Sequence, residues 1–201
     1  MKDNTEIKKS DLAILSRVMS RAFFTNPTTL YCLPDESGRS DKLDWFLRIA
    51  LRCGQKYGSV HTTDEEEGAA IWLSPSHVYL SLFQLLKQGF STAPFRLGMG
   101  PLGRLFNCLN YFEKLQKSDM PDDHWYLFLL AVDPPQQGKG IGRRLIRPIL
   151  QRADSEKTSC YLETDKPGNV TFFQKNGFKI NREDDVPKGG PHFWTMIRKP
   201  Q

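Results

Sequence analysis

Cysteine is sparse in this chain, and Cys32, Cys53, Cys108 and Cys160 stand far apart without a C-x-x-C pair. That spacing excludes a disulfide framework and a zinc knuckle. The four histidines are equally scattered, so no metal site is expected. Long apolar runs are missing too. The longest, residues 125–132, falls far short of the ~20 residues a membrane helix needs. The first ten residues are polar and charged and lack the apolar segment of a secretory signal. No cluster of lysine and arginine is dense enough to argue for nucleic acid, although a net charge of +5 suits a polyanionic ligand. What is left is a globular protein of a reducing compartment, expected in the cytoplasm, with neither nucleic acid nor membrane as partner. Its 201 residues suggest one domain over 1–201 with a substantial core. A monomer and a homodimer fit equally well.

Hydrophobic periodicity supplies the element order. A short strand is expected at residues 6–8, then a helix capped by Ser10 over 11–24, with Leu12, Leu15, Val18, Met19 and Ala22 on one face. Asn26-Pro27 ends it. After a loop at 34–40 comes a second helix, whose apolar face carries Leu43, Phe46, Leu47, Ala50 and Leu51. Strands at 59–63 and 69–73 flank Asp64-Glu65-Glu66-Glu67-Gly68, which reads as a solvated hairpin turn rather than a metal or base cluster. Apolar-rich stretches at 78–89 and 102–117 read as an inserted helical pair within about 78–117. Strand 125–132, a helix over 140–153 interrupted by Pro148, strand 159–164, a helix over 170–176 and two strands at 178–182 and 192–197 complete the order.

The most informative segment is Gln137-Gly138-Lys139-Gly140-Ile141-Gly142, set between a strand and a helix. Its glycines leave backbone N–H groups accessible. A helix N-terminus adds unpaired donors and a partial positive charge, so the N–H groups from Gly138 to Arg143 suit a diphosphate. A Walker loop is excluded because Gly140 follows Lys139 where Ser or Thr is required. A Gly-x-Gly-x-x-Gly fingerprint fails in both registers, ending on Arg143 or Leu145. What remains is Gln-x-x-Gly-x-Gly.

This motif resembles that of the GNAT superfamily of acetyl-CoA-dependent N-acetyltransferases. Leu127-Phe128-Leu129-Leu130-Ala131-Val132-Asp133-Pro134 looks like the family's central strand, and Asn169-Val170-Thr171-Phe172-Phe173-Gln174-Lys175-Asn176-Gly177-Phe178 looks like its second motif. Leu162-Glu163-Thr164 and the closing Trp194-Thr195-Met196-Ile197-Arg198-Lys199-Pro200 are similar to the puromycin N-acetyltransferase branch. The resemblance implies an α/β (α+β) fold, with a mixed, mainly antiparallel sheet, splayed central strands and flanking helices. It implies acetyl-CoA as co-substrate, no metal, and direct attack of a small-molecule primary amine on the thioester. Leu130, Ala131 and Val132 would carry the pantetheine arm, with the Val132 amide polarising the thioester carbonyl. Gln137, Gly138, Lys139, Gly140, Ile141, Gly142 and Arg143 would hold the diphosphate. Asn169, Phe172, Phe173 and Lys175 would flank the cofactor.

Glu163 is the first choice of general base, with His124 as a possible proton relay. Many relatives place a tyrosine acid where this chain has Phe173, and Tyr126 and Tyr161 are alternative donors. Losing that acid should slow rather than abolish transfer. Freeing an alkylamine of pKa ~10.4 at neutral pH is a larger task than protonating a thiolate of pKa ~8.5. Phe23, Phe24, Tyr31, Trp45, Trp72 and Tyr79 are an aromatic supply for an acceptor pocket. Two other functions share these features: an acyl-CoA-binding sensor with little turnover, and a protein or peptide N-acetyltransferase.

Overall fold

In the computed structural model, residues 1–3 and 7–201 are described. The strand expected at 6–8 lies partly outside them, and Ile7 and Lys8 are not in a strand. Lys2 instead bridges to Thr62.

Helix α1 (Lys9–Phe23) buries Leu12, Leu15, Val18 and Met19. Ser10 does not cap it. The Asp11 carboxylate accepts the Lys8 N–H at 3.0 Å, while the Ser10 hydroxyl bonds back to Asp11. A six-residue helix, α2 (Pro27–Cys32), follows with proline in its first turn, where a missing N–H costs nothing. Helix α3 (Arg39–Tyr57) packs on α1, and Ser16 Oγ donates to Asp44 at 2.5 Å between them. Gly54 allows α3 to press on the sheet: a Cβ there would stand 2.5 Å from Ile71 Cγ2.

Strands β1 (Gly58–Thr62) and β2 (Gly68–Leu73) form the expected hairpin. Its acidic turn is tied to the N-terminus, through Asp64 to the terminal amine and Glu66 to Lys2, each at 3.1 Å. The segment expected as two helices forms three: α4 (Leu82–Lys87), α5 (Ala93–Leu97) and α6 (Met99–Asp119). Gly89 and Gly98 take positive φ; the first ends the expected stretch at 78–89, and the second separates α5 from α6, so that α5 and the start of α6 occupy the interval left between 89 and 102.

Strand β3 (His124–Val132) pairs antiparallel with β2. Helix α7 (Ile141–Ser155) continues past Pro148, burying Ile141, Leu145, Ile146, Ile149 and Leu150. Strand β4 (Ser159–Thr164) leads to α8 (Pro167–Gln174), which begins earlier than its apolar residues suggest because Pro167 opens its first turn. Strands β5 (Lys179–Asp185) and β6 (His192–Arg198) complete a sheet of order β1-β2-β3-β4-β6-β5. The sheet is antiparallel except at β3–β4.

Two features of β3 create the site. Ile71 and Trp72 are consecutive, but they oppose Leu129 and Leu127, so Phe128 is an extra residue. Such a bulge bends its strand and re-aims the side chains beyond it. Just before it, β3 and β4 part company, because they pair only from His124–Ser159 to Tyr126–Tyr161. Beyond Tyr126 the sheet opens into a wedge. Helices α1, α3 and α6 cover one face, including Leu15, Leu47 and Phe193 in its core. Helices α7 and α8 cover the other, over Trp72, Trp125 and Leu162.

Candidate active site

A cleft of about 520 Å³ lies where β3 ends, bounded by the start of α7, by α8 and by the last turn of α1. It brings together Leu130, Ala131, Val132, Gln137, Gly138, Gly140, Ile141, Gly142, Arg143, Asn169, Phe172, Phe173 and Lys175. Lys139 is not among its lining residues and donates to Gln136 Oε1 at 2.6 Å.

The turn before α7 is glycine-dependent for backbone reasons. Gly138 and Gly140 have φ of +80° and +76°, and a Cβ at either would meet nothing within 4 Å. Gly142 is different: a Cβ there would stand 3.3 Å from Phe172 Cζ. The Arg144 N–H bonds to Gly140 O at 3.2 Å. The N–H groups of Ile141, Gly142 and Arg143 therefore have no acceptor within the helix. Gln137 Nε2 donates to Val132 O at 3.0 Å and ties the turn to the strand end. Arg21 grips Asp133 with two hydrogen bonds of 2.9 and 2.6 Å, which holds α1 against the same end.

The edge of β3 facing the wedge has a definite pattern. Asp133 N–H donates to Glu67 O at 2.8 Å, toward β2. N–H directions alternate along a strand, so Ala131 also faces β2 while Leu130 and Val132 face the open side.

A gap of about 70 Å³ inside the wedge lies between this cleft and a second chamber of about 160 Å³ and shares lining residues with each. Phe23 and Asn26 line all three spaces. Glu163 lines the gap and the chamber. Tyr126 donates its hydroxyl to Glu163 Oε2 at 2.7 Å, whereas Oε1 is sequestered from solvent and has no partner. Burial pushes the Glu163 carboxyl up to about 8, against the opposing pull of the hydrogen bond from Tyr126. Burial and the adjacent carboxylate likewise hold the Tyr126 phenol protonated. Asp165 sits beside Glu163 in the chamber wall and accepts from the Thr28 N–H at 2.9 Å.

Several expectations are corrected. His124 lines none of these spaces. Its Nδ1 bonds to Asp122 O at 2.8 Å and its Nε2 to Gln116 at 2.9 Å, so it donates from Nδ1 and accepts at Nε2. Burial lowers its pKa and keeps it neutral, a structural role. Neither Tyr126 nor Tyr161 stands beside Phe173, whose buried ring packs edge-on against Phe172 and Phe178. Among the aromatic residues expected around an acceptor, Trp72 is fully buried on the α7 side and Trp45 stacks on Phe90. Phe24 lies under the Arg39 guanidinium, and Tyr31 bonds to Lys188 O. Phe23 and Tyr79 do line cavities. The principal walls are Phe46, Phe112, Tyr126 and Phe128.

Ala22, Phe23, Asn26, Gln136, Lys166 and Asn176 also line the first cleft, and of these only Asn176 lies within a motif segment. Nothing local reveals which turn of α1 will face the end of β3. Asn176 has one usable signal, its place at a helix end before glycine, where its amide donates to Phe172 O at 2.8 Å. The four cysteines are free and buried, and burial pushes the Cys53 and Cys160 thiols up to about 12. Among the described residues no cluster of metal-ligating side chains occurs, and no helix is long and apolar enough to cross a membrane.

Residues 103–178 match the sequence profile of the Acetyltransferase (GNAT) family. An uncharacterized N-acetyltransferase of Schizosaccharomyces pombe is 30% identical over 204 residues, covering 97% of this chain and 82% of the yeast protein. Among solved structures, the fold is similar to that of the histone acetyltransferase HPA2 and related acetyltransferase from Corynebacterium glutamicum. The TM-score is 0.68 at 20% identity, over 97% of this chain and 94% of that one. It is also similar to arylalkylamine N-acetyltransferase 2 from Aedes aegypti, with a TM-score of 0.64 at 13% identity and 97% of both chains covered. None of these matches bears on a puromycin-like branch.

Proposed function

The chain belongs to the GNAT family of acetyltransferases, and from that premise we propose that residues 1–201 act as one domain. It would move an acetyl group from acetyl-CoA to the primary amine of a small molecule. The observation that carries this reading is the adjacency of three spaces that share Phe23 and Asn26: the glycine-turned cleft, the gap in the wedge and the chamber bearing Glu163. A donor on one side of the sheet and an acceptor on the other would meet only there. A reducing compartment, the cytoplasm, suits the four free thiols.

Acetyl-CoA supplies the activated acyl group. Its diphosphate suits the N–H groups that α7 leaves unpaired, with Arg143, Lys166 and Lys175 adding positive charge at the cleft. Each charge-assisted bond is worth ~1.5–3 kcal/mol. The pantetheine arm suits the open edge of β3, where Leu130 offers backbone groups and the Val132 N–H can polarise a carbonyl.

Glu163 is the proposed base. A carboxyl near 8 lies only about 2.4 units below an alkylammonium of pKa ~10.4, so proton transfer to it is less uphill than to an ordinary carboxylate. At pH 7 about one site in ten is then ionised. One proton would pass from the ammonium to the Glu163 carboxylate, the freed amine would form a C–N bond at the carbonyl as the C–S bond breaks, and the nitrogen's second proton would go to solvent, from which the thiolate takes one. Phe173 supplies none. That ring is the one feature favouring an acyl-CoA sensor instead.

Free thiol release by purified protein with acetyl-CoA and a varied amine panel tests the reading. Turnover supports it. Tight CoA binding without turnover would favour the sensor, and failure to bind CoA would remove both.

A further inference from the structure

Beside the chamber that Glu163 lines lies another space. Phe46, Leu109, Phe112, Tyr126 and Phe128 line the chamber and also line this further space of about 220 Å³ between α3, α4 and α6. That space reaches Leu82, which is 58% exposed. We propose that the acceptor is a lipophilic primary amine, with its ammonium beside Glu163 and Asp165 and an extended apolar body running under α6 toward Leu82. The proposal rests on the acetyltransferase reading above.

The channel is polarised in a way that suits an amphiphile. Its inner end holds two acidic side chains, Glu163 and Asp165, the second of which also accepts from the Thr28 N–H. The middle is aliphatic and aromatic. At the far end the acid Glu113 is already paired with Lys117. At ~30 Å³ for each water-sized group, the two spaces hold roughly a dozen non-hydrogen atoms, more than a single ring or a short alkyl group fills. The mouth is apolar as well. Phe83 and Leu86 are exposed on α4, and residues 68–112 contain no Asp or Glu. A second ammonium travelling down this channel would lose its hydration among phenylalanines with no free acid to meet it.

The test is a series of linear alkylamines from three to twelve carbons, with a polyamine of matching length. Each is assayed with the full chain for thiol release and, separately, for binding in the presence of CoA by thermal shift. We expect kcat/KM to rise about fourfold per methylene, the equivalent of ~0.8 kcal/mol, until the channel is filled. Leu109→Trp, which puts a bulky ring at the junction, should lower the decylamine-to-propylamine ratio of kcat/KM at least tenfold. Unchanged CoA affinity will show that this variant is folded. Turnover that is flat with chain length, or faster with the polyamine, overturns the channel and leaves acetyl transfer standing. Chain-length-dependent binding without any turnover supports the channel and overturns acetyl transfer. If no amine binds, both fall.

Discussion

Replacing Glu163 with glutamine should raise stability at alkaline pH while removing most of the activity. The folded carboxyl sits near 8 against an ordinary 4.5, so between those values the folded chain keeps a proton that the unfolded chain has released. Stability therefore falls as pH rises, by ~1.4 kcal/mol per pH unit at full slope. Over a window of about 3.5 units the total is roughly 5 kcal/mol, an upper figure because Tyr126 and the wedge can relax around the anion. Below pH 4.5 the penalty is absent; above 8 it is complete. Glutamine has the same shape, still accepts from the Tyr126 hydroxyl, and carries no charge to bury. Urea unfolding of both proteins at pH 5, 6, 7 and 8 measures this directly. The two should agree within about 1 kcal/mol at pH 5 and diverge by several at pH 8, with the variant more stable. Its turnover should fall by ~10²–10⁴, the usual worth of a placed base. Parallel stability profiles would refute the buried, proton-holding carboxyl. Full activity in the variant would refute its role as base.

Gly140→Asp should weaken CoA binding at least tenfold, because it sets a carboxylate in the anion cradle. With open space around the position and φ of +76°, the fold should lose only ~1 kcal/mol, and calorimetric titration with CoA separates the two effects. Phe173→Tyr should keep or raise turnover, since the ring borders both the cleft and the wedge; a collapse in steady-state rate would mean the pocket requires an apolar ring there. Asp154→Asn should cost about 3 kcal/mol, because Arg198 is buried and held by Asp154 through bonds of 2.7 and 2.8 Å. Arg198 also holds the Asp154 carboxyl below its ordinary 3.8. The wild-type advantage in chemical unfolding should thus be complete above pH 4 and fade as pH drops below it.

The sequence by itself determined what depends on local geometry. Gly138 and Gly140 leave the backbone bare and permit the left-handed turn that the structure shows, and a strand before them with a helix after creates unpaired N–H donors at one point. The amphipathic stripes of α1, α3 and α7 likewise follow from spacing. Extents were less legible. Pro167 opens α8 three residues early, the Asp11 carboxylate takes up the Lys8 N–H at the start of α1 where Ser10 is expected to cap, and α5 with the start of α6 fills the interval expected as a loop. Such boundaries depend on which of several competent residues finds its partner. Tertiary structure alone decided the acceptor side. The bulge at Phe128 and the parting of β3 from β4 after Tyr126 are relations between strands, invisible along either one. From them come the gap beside Glu163, the union of Tyr126 with a carboxyl 37 residues away, and an apolar channel walled by helices distant in the chain. A motif of six residues is legible in the sequence because what it offers a ligand is consecutive backbone atoms. The side chains around Glu163 come from separate elements, and only packing brings them together.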